Sequence, residues 1–165
     1  MPVLQLAPVL DPTMRAMCAK PYEGHPRGCP NFQKKAGCPG THPGAAPLCA
    51  EFFDLSRPTY FIYSKFDLGA HVAKMKAAHP DWSQRQLVCC LYWQGTARKA
   101  LTAEVAAFYQ RMDPYLLGNA RQITTCPEAL GVNVTETMKQ GGVILQWPPT
   151  TETTHVAMAG WPKVP

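Results

Sequence analysis

The chain has 165 residues, of which 46% are hydrophobic, and a formal net charge of +5. This length and composition are typical of one globular domain with a hydrophobic core, and they argue against a disordered chain. The basic residues occur in pairs such as Lys34-Lys35 and form no long run, so the charge does not predict a nucleic-acid-binding protein.

Residues 1–15 predict an extended arm. They are apolar, but Pro2 and Pro8 interrupt them and they lack the basic start of a secretory signal. No stretch of the chain approaches the ~20 apolar residues that span a membrane. We therefore expect a cytoplasmic protein without a disulfide framework, because cysteines in that compartment stay reduced.

Residues 16–50 predict a long irregular loop. A loop of this length is uncommon unless a function or a ligand orders it, and a bound metal would contribute its binding free energy to folding. The loop repeats one local sequence, Gly28-Cys29-Pro30 and Gly37-Cys38-Pro39. Glycine allows close backbone approach, and proline restricts the preceding cysteine to extended geometry. The cysteines of this loop are Cys18, Cys29, Cys38 and Cys49.

A strand and a helix are predicted next. Residues 59–66 are rich in aromatic and β-branched side chains, which favour a strand. Asp67 is then placed to cap a helix over Leu68–Ala78, which ends before His79-Pro80.

One long helix is predicted over residues 84–112. Ser83 and Gln86 form the pattern of a capping box at its start, and Asp113-Pro114 ends it. Its apolar residues recur every three or four positions, so they form one buried stripe. The stripe contains Leu87, Cys90, Trp93, Ala97, Leu101, Val105, Phe108 and Met112.

Four shorter elements complete the expected fold. Residues 122–126 predict a strand that ends at Cys126, and residues 135–140 a short helix closed by glycines. Residues 143–147 and 155–159 predict two further strands, the last at a sheet edge. This order of elements predicts a single-domain α/β or α+β sandwich. We expect one metal-binding domain over residues 1–165, with a cysteine-rich arm and loop in 1–58 and the core in 59–160.

Three cysteines are each followed by proline, a dipeptide that also ends ferredoxin-type cluster motifs. They are Cys29, Cys38 and Cys126. A proline after the ligand stiffens the backbone and removes one N–H that would need a partner. The sequence therefore predicts that these thiolates hold an iron–sulfur cluster, most simply of the 4Fe–4S type. Cys18 or Cys90 would be the fourth ligand, or the fourth iron would stay open to substrate.

Other roles for the cysteines remain open at this point. A structural zinc site without catalysis would use Cys18, Cys29, Cys38 and Cys49, with His25 or His42 as alternatives. A thiol–disulfide sensor at Cys89-Cys90 would need an exposed thiol, which the apolar run around the pair argues against. Buried cysteines that serve only for packing are the plainest alternative. If Cys126 joins Cys29 and Cys38, the cluster is favoured; if residues 16–50 close on themselves, zinc is favoured.

Polar residues after Cys126 are candidates for chemistry beside a metal. Glu128 is placed to act as a general acid or base, and Lys139 to bind an anion. Their alternative role is to cap helices and turns. The partners that we expect are a small-molecule substrate or a redox partner protein.

Residues 127–142 and the two loop sequences resemble a prokaryotic family of predicted metal-binding proteins of unknown function. The matching blocks are Cys29-Pro30-Asn31-Phe32, Cys38-Pro39 and the segment from Glu128 to Gly142. The resemblance implies that Cys18, Cys29 and Cys38 bind metal. Glu128, Thr137 and Lys139 match the family's carboxy-terminal signature. The chain departs from the family by lacking a second set of closely spaced cysteines and by carrying Asn133 where aspartate is usual, so it gives no support for a second cluster.

Overall fold

A single antiparallel sheet organises the part of the chain that the computed structural model describes, residues 2–21, 25–30, 32–112 and 122–163. Its strand order is β1-β2-β4-β3. The strands are β1 (Val3–Gln5), β2 (Tyr60–Asp67), β3 (Gln122–Thr124) and β4 (Glu152–Gly160). Helices pack on this sheet, which confirms the predicted mixed α and β fold class.

The helices divide into five α-helices and three 3₁₀ helices within the described residues. The α-helices are α1 (Cys49–Phe52), α2 (Leu68–Ala78), α3 (Gln84–Leu87), α4 (Gln94–Arg111) and α5 (Val134–Gln140). The 3₁₀ helices are Pro12–Ala19, Cys90–Tyr92 and Pro127–Leu130. Within the described ranges, no helix combines the length and the apolar character needed to cross a membrane.

Local capping signals begin α2 and α3 at the residues where the sequence predicts that helices start. The Asp67 carboxylate accepts a hydrogen bond from the Ala70 N–H (2.7 Å) at the start of α2. Ser83 and Gln86 form the expected capping box at the start of α3. These signals act within one helical turn, so they depend little on the rest of the fold.

The prediction of a single long helix over residues 84–112 is wrong, because the α-helix is interrupted between Leu87 and Gln94. The Trp93 indole donates to the Val88 carbonyl (3.1 Å) and stacks on Phe66 at 5.5 Å. Burial of this large ring against β2 outweighs the extra helical hydrogen bonds of a continuous helix. The predicted inward stripe is nevertheless correct. Its buried members are Leu87, Cys90, Trp93, Ala97, Leu101 and Phe108. The predicted end at Asp113-Pro114 lies outside the described residues.

The last strand lies inside the sheet, so its prediction as an edge strand is wrong. β4 pairs with β2 over eight positions, from Tyr60↔Ala159 to Asp67↔Glu152, and with β3 on its other side. Residues 143–147 form no strand. Val143 and Leu145 pack on the core while Ile144 is 70% exposed. Their alternation reflects burial alone, because no strand pairs with them among the described residues.

The two faces of the sheet are covered differently. α4 packs on one face through Phe108, which contacts Ile62 and Trp161. The opposite face is covered by the cysteine-rich segment and by residues 127–143. Its buried core contains Ala46, Cys49, Phe53, Phe61, Leu130, Val132, Met138 and Met158. Each large apolar side chain that is fully buried stabilises the fold by about 1.5–3 kcal/mol, so this layer is part of the core.

The predicted extended arm is only partly correct. Val3–Gln5 is a strand that pairs with β2, and Pro12–Ala19 forms a 3₁₀ helix capped by the Asp11 carboxylate. The N-terminal segment therefore supplies a strand to the sheet and a helix to the face that carries the cysteines.

Candidate metal centre

The N-terminal segment lies alongside the loop that follows Cys126. The Asp11 N–H donates to the Gly131 carbonyl (2.7 Å), and the Asn133 N–H donates to the Val9 carbonyl (2.8 Å). A Cβ on Gly131 would lie only 3.1 Å from Cα of Pro12, so glycine allows this close approach. The 3₁₀ helix Pro12–Ala19 thereby packs on the 3₁₀ helix Pro127–Leu130. Residues distant in sequence are brought to one place.

A backbone hydrogen bond joins Cys29 to Cys18. The Cys29 N–H donates to the Cys18 carbonyl (2.8 Å). Gly28 makes this contact possible, because a Cβ there would lie 2.6 Å from the Ala19 carbonyl carbon and 2.8 Å from the Cys18 carbonyl oxygen. Its φ of +78° also favours glycine. The close backbone approach predicted for this glycine is present.

Cys38 is held by a second turn of the same loop. The Ala46 N–H donates to the Cys38 carbonyl (2.8 Å), and Arg15 donates from Nη2 to the Ala46 carbonyl (2.8 Å). Arg15 belongs to the 3₁₀ helix that carries Cys18, so it ties the Cys38 turn to that helix. Gly37 adopts a φ of +79°, but a Cβ at this position would meet no atom within 4 Å, so only its backbone conformation favours glycine.

Three other cysteines act electrostatically on Cys18. The pKa of Cys18 is raised to about 11, first by burial and then by the neighbouring acidic groups of Cys29, Cys126, Glu128 and Cys38 in that order. Charges act on a pKa in this way only at short range, so these four groups lie within electrostatic range of Cys18. In the described residues, no three His, Cys, Asp or Glu side chains converge closely enough to ligate a single ion.

Cys126 is the most exposed of these four cysteines. Its residue surface is exposed, yet burial of the thiol by the surrounding protein raises its pKa, and so does Glu128. The residue is thus accessible to water on one side, while protein atoms lie around the rest of the thiol. A hydrogen bond with Thr125 and the charge of Arg98 act on this pKa in the opposite direction. Arg98 lies on α4, and nothing in the sequence spacing relates it to Cys126.

Glu128 carries a carboxyl group removed from water. This desolvation raises its pKa, and a hydrogen bond with its own backbone lowers it. A carboxyl group in such surroundings binds a proton more readily than one on the surface. It also raises the pKa values of Cys18 and Cys126, so it lies within electrostatic range of both thiols.

Two of the predicted ligand candidates lie elsewhere. Cys49 is 2% exposed and packs in the core beneath the loop, and burial alone raises its pKa to about 11. Cys90 packs with Leu68 and Trp93 on the α4 side of the sheet. None of the seven cysteines, all of which the structure describes, is joined in a disulfide.

The remaining predicted site residues have structural contacts. Lys139 is on the surface of α5, where its ammonium group lies 3.7 Å from the Glu136 carboxylate. Thr137 is fully buried, and its hydroxyl accepts from the Val9 N–H (2.9 Å) and donates to the Asn133 carbonyl (2.7 Å). Asn133 caps α5 by accepting from the Glu136 N–H (3.1 Å). The His42 ring nitrogen Nδ1 lies 3.0 Å from the carbonyl oxygen of the next residue.

The described side chains form no ligand set for a single ion. Thiolates are the ligands of iron–sulfur clusters and of structural zinc, and the thiols within electrostatic range of Cys18 come from the cysteine-rich loop and from the end of β3. A bound cation stabilises thiolates that burial otherwise keeps protonated. Comparison of the chain with known protein families, with curated proteins and with solved structures gives no match.

Proposed function

We propose that this protein binds one iron–sulfur cluster of the 4Fe–4S type through Cys18, Cys29, Cys38 and Cys126. The observation that carries the proposal is that Cys29, Cys38 and Cys126 all lie within electrostatic range of Cys18, with the Cys29 N–H hydrogen-bonded to the Cys18 carbonyl (2.8 Å). Their common location depends on the packing of the 3₁₀ helix Pro12–Ala19 against the loop after Cys126. A fold that gathers four thiols from segments so far apart in sequence is well explained by a cofactor that they share.

The choice between a cluster and zinc depends on which cysteines are grouped. The zinc alternative that uses only residues 16–50 takes its fourth ligand from Cys49, His25 or His42, and Cys49 is buried in the core. A zinc ion would also require four sulfurs to approach one centre to about 2.3 Å. Four irons and four sulfides occupy a larger volume and leave the cysteine sulfurs further apart. The grouping with Cys126 therefore supports the cluster.

The proposed chemistry is redox or sulfur-handling chemistry on a small molecule or with a redox partner protein, in the cytoplasm. A 4Fe–4S cluster with four cysteine ligands supplies one-electron transfer. Cys18 completes the ligand set, which favours electron transfer over binding of substrate at an open iron. Glu128 would hold a proton next to Cys18 and Cys126. Lys139 has no described contact with the four cysteines or with Glu128, so its proposed role is limited to binding an anion.

A structural zinc site made of the same four thiols is the second candidate. The zinc site is favoured because few residues of the loop are buried. Among the described loop residues after Cys18, the buried ones are Gly28, Pro39, Ala46 and Cys49. Such a segment gains much of its order from a bound ion. Zinc would give the loop this order without any redox chemistry.

The experiment that tests the proposal compares two single substitutions in protein prepared without oxygen. Cys126→Ala removes a proposed ligand, and Cys89→Ala removes a half-buried cysteine outside the group. We expect Cys126→Ala to lose most of the iron and acid-labile sulfide, and Cys89→Ala to retain both. Equal retention by the two variants would exclude Cys126 as a ligand. Stoichiometric zinc without sulfide in the unsubstituted protein would favour the second candidate.

A further inference from the structure

Most of the chain's net positive charge lies in the segment that surrounds the cysteines. Residues 12–48 contain five basic residues and one acidic residue, which accounts for +4 of the overall +5. The sequence shows these residues only as isolated positions and one pair. Backbone hydrogen bonds within the folded segment bring parts of it together.

Each proposed ligand has an exposed basic residue close to it. For the three loop cysteines this residue lies two to four positions away in the chain, and for Cys126 it lies on α4 within electrostatic range. The hydrogen bond from the Cys29 N–H to the Cys18 carbonyl (2.8 Å) joins the segments that carry Lys20 and Arg27, and the Cys38 N–H bonds the Lys35 carbonyl (3.0 Å). This basic rim consists of Lys20, Arg27, Lys34, Lys35 and Arg98.

The charges of the basic rim are directed to solvent. The main influences on Cys18 all raise its pKa, and no basic residue is among them. Among the described residues, the ion pairs Lys65–Glu152 and Lys139–Glu136 involve no member of the rim. The rim residues are exposed, so their charges are available to a partner.

Apolar surface accompanies the basic rim. Met17, which precedes Cys18, is 45% exposed, and Leu48, which precedes Cys49, is 37% exposed. Exposed methionine and arginine are typical of protein–protein interfaces. Single-stranded nucleic acids are instead bound by aromatic side chains that stack on bases. The large exposed aromatic residues of the described chain, Tyr92 and Trp147, lie on other elements.

We propose that the basic rim is the docking surface for an acidic protein. The rim would hold this protein next to Cys126, the most exposed of the four thiols. Attraction between opposite charges steers association and lets a small interface suffice, as in weak redox complexes. The identification of this partner as a redox partner rests on the proposed function, whereas the docking surface itself can be tested independently of the metal.

The test uses the full-length protein as purified and two double charge reversals that change the net charge equally. Lys34→Glu with Lys35→Glu alters the rim, and Lys74→Glu with Arg111→Glu alters exposed residues on α2 and α4. The probe is a fluorescently labelled polyglutamate peptide, with a single-stranded DNA oligonucleotide of equal charge as the comparison. Fluorescence anisotropy would be measured from ~0.02 to ~0.3 M salt, a range over which screening of surface charges increases strongly.

We expect the rim reversal to weaken polyglutamate binding by ~10-fold or more at low salt, and the control reversal to change it by less than ~2-fold. Equal weakening by both variants would overturn the proposal, since binding would then follow net charge alone. Tighter, rim-dependent binding of the oligonucleotide would overturn it in favour of nucleic acid. Iron and zinc are counted in each sample, so failure of docking is distinguished from failure of metal binding.

Discussion

Alanine substitution at two glycines of the cysteine loop separates the effect of backbone conformation from the effect of close packing. Gly28 and Gly37 have nearly the same left-handed φ, +78° and +79°. Each precedes a proposed ligand that is followed by proline. They differ in their surroundings, because a Cβ on Gly28 meets backbone atoms at 2.6–2.8 Å and a Cβ on Gly37 meets nothing within 4 Å.

The magnitude of each effect follows from this difference. Both substitutions place a side chain in the left-handed region, which costs about 1–2 kcal/mol. Gly28→Ala adds an overpacking cost of about 1–3 kcal/mol, because the Ala19 and Cys18 carbonyl groups belong to the backbone and have little freedom to move. We therefore expect a loss of about 2–5 kcal/mol for Gly28→Ala and about 1–2 kcal/mol for Gly37→Ala.

The same displacement should affect metal content. Relief of the clash moves Cys29 away from Cys18 and breaks the 2.8 Å backbone hydrogen bond that joins them. We expect Gly28→Ala to lose iron under conditions in which Gly37→Ala keeps it. The assay is urea unfolding of both variants, together with iron and sulfide analysis of anaerobic preparations. Equal stability and equal iron content in the two variants would refute the role of this contact in placing the ligands.

Other substitutions test the packing around the site and the sheet. Thr137→Val leaves the Val9 N–H without its partner and should destabilise the protein by about 1–3 kcal/mol in urea unfolding; the matched Thr135→Val, whose hydroxyl bonds the exposed Trp147 indole, should have an effect near zero. Asp67→Ala should lower the free energy of unfolding by about 1 kcal/mol through loss of the α2 cap, and an unchanged value would contradict that role. Burial lowers the pKa values of His71 and His155, so the unfolded chain takes up protons first as the pH falls below about 6.5 and stability should decrease there. Unfolding at a series of pH values should show a smaller decrease when both histidines are replaced by glutamine, and an identical pH dependence would exclude them as its source.

Signals confined to one turn allow part of the fold to be predicted. The bounds of α2 follow from Asp67 and from the proline after it, and the α3 capping box needs only Ser83 and Gln86. Gly28 before Cys29 is likewise interpretable, because a glycine next to a ligand indicates close backbone approach.

Features that depend on distant contacts cannot be predicted in the same way. The break before α4 results from stacking of Trp93 on Phe66, which are far apart in sequence. The central position of β4 depends on its pairing with both β2 and β3. The effect of the Arg98 charge on the pKa of Cys126 depends on how α4 lies in the folded chain, which the sequence spacing does not give.

The most direct test of the central claim is a count of metal and sulfide in the unsubstituted protein, purified without oxygen. The proposal predicts about four irons and four acid-labile sulfides per chain, with broad visible absorption from cysteine-ligated iron. A colourless protein with about one tightly bound zinc and no sulfide would contradict the cluster and leave a structural zinc site on the same thiols. A protein with neither metal, in which all the thiols react freely, would contradict metal binding altogether.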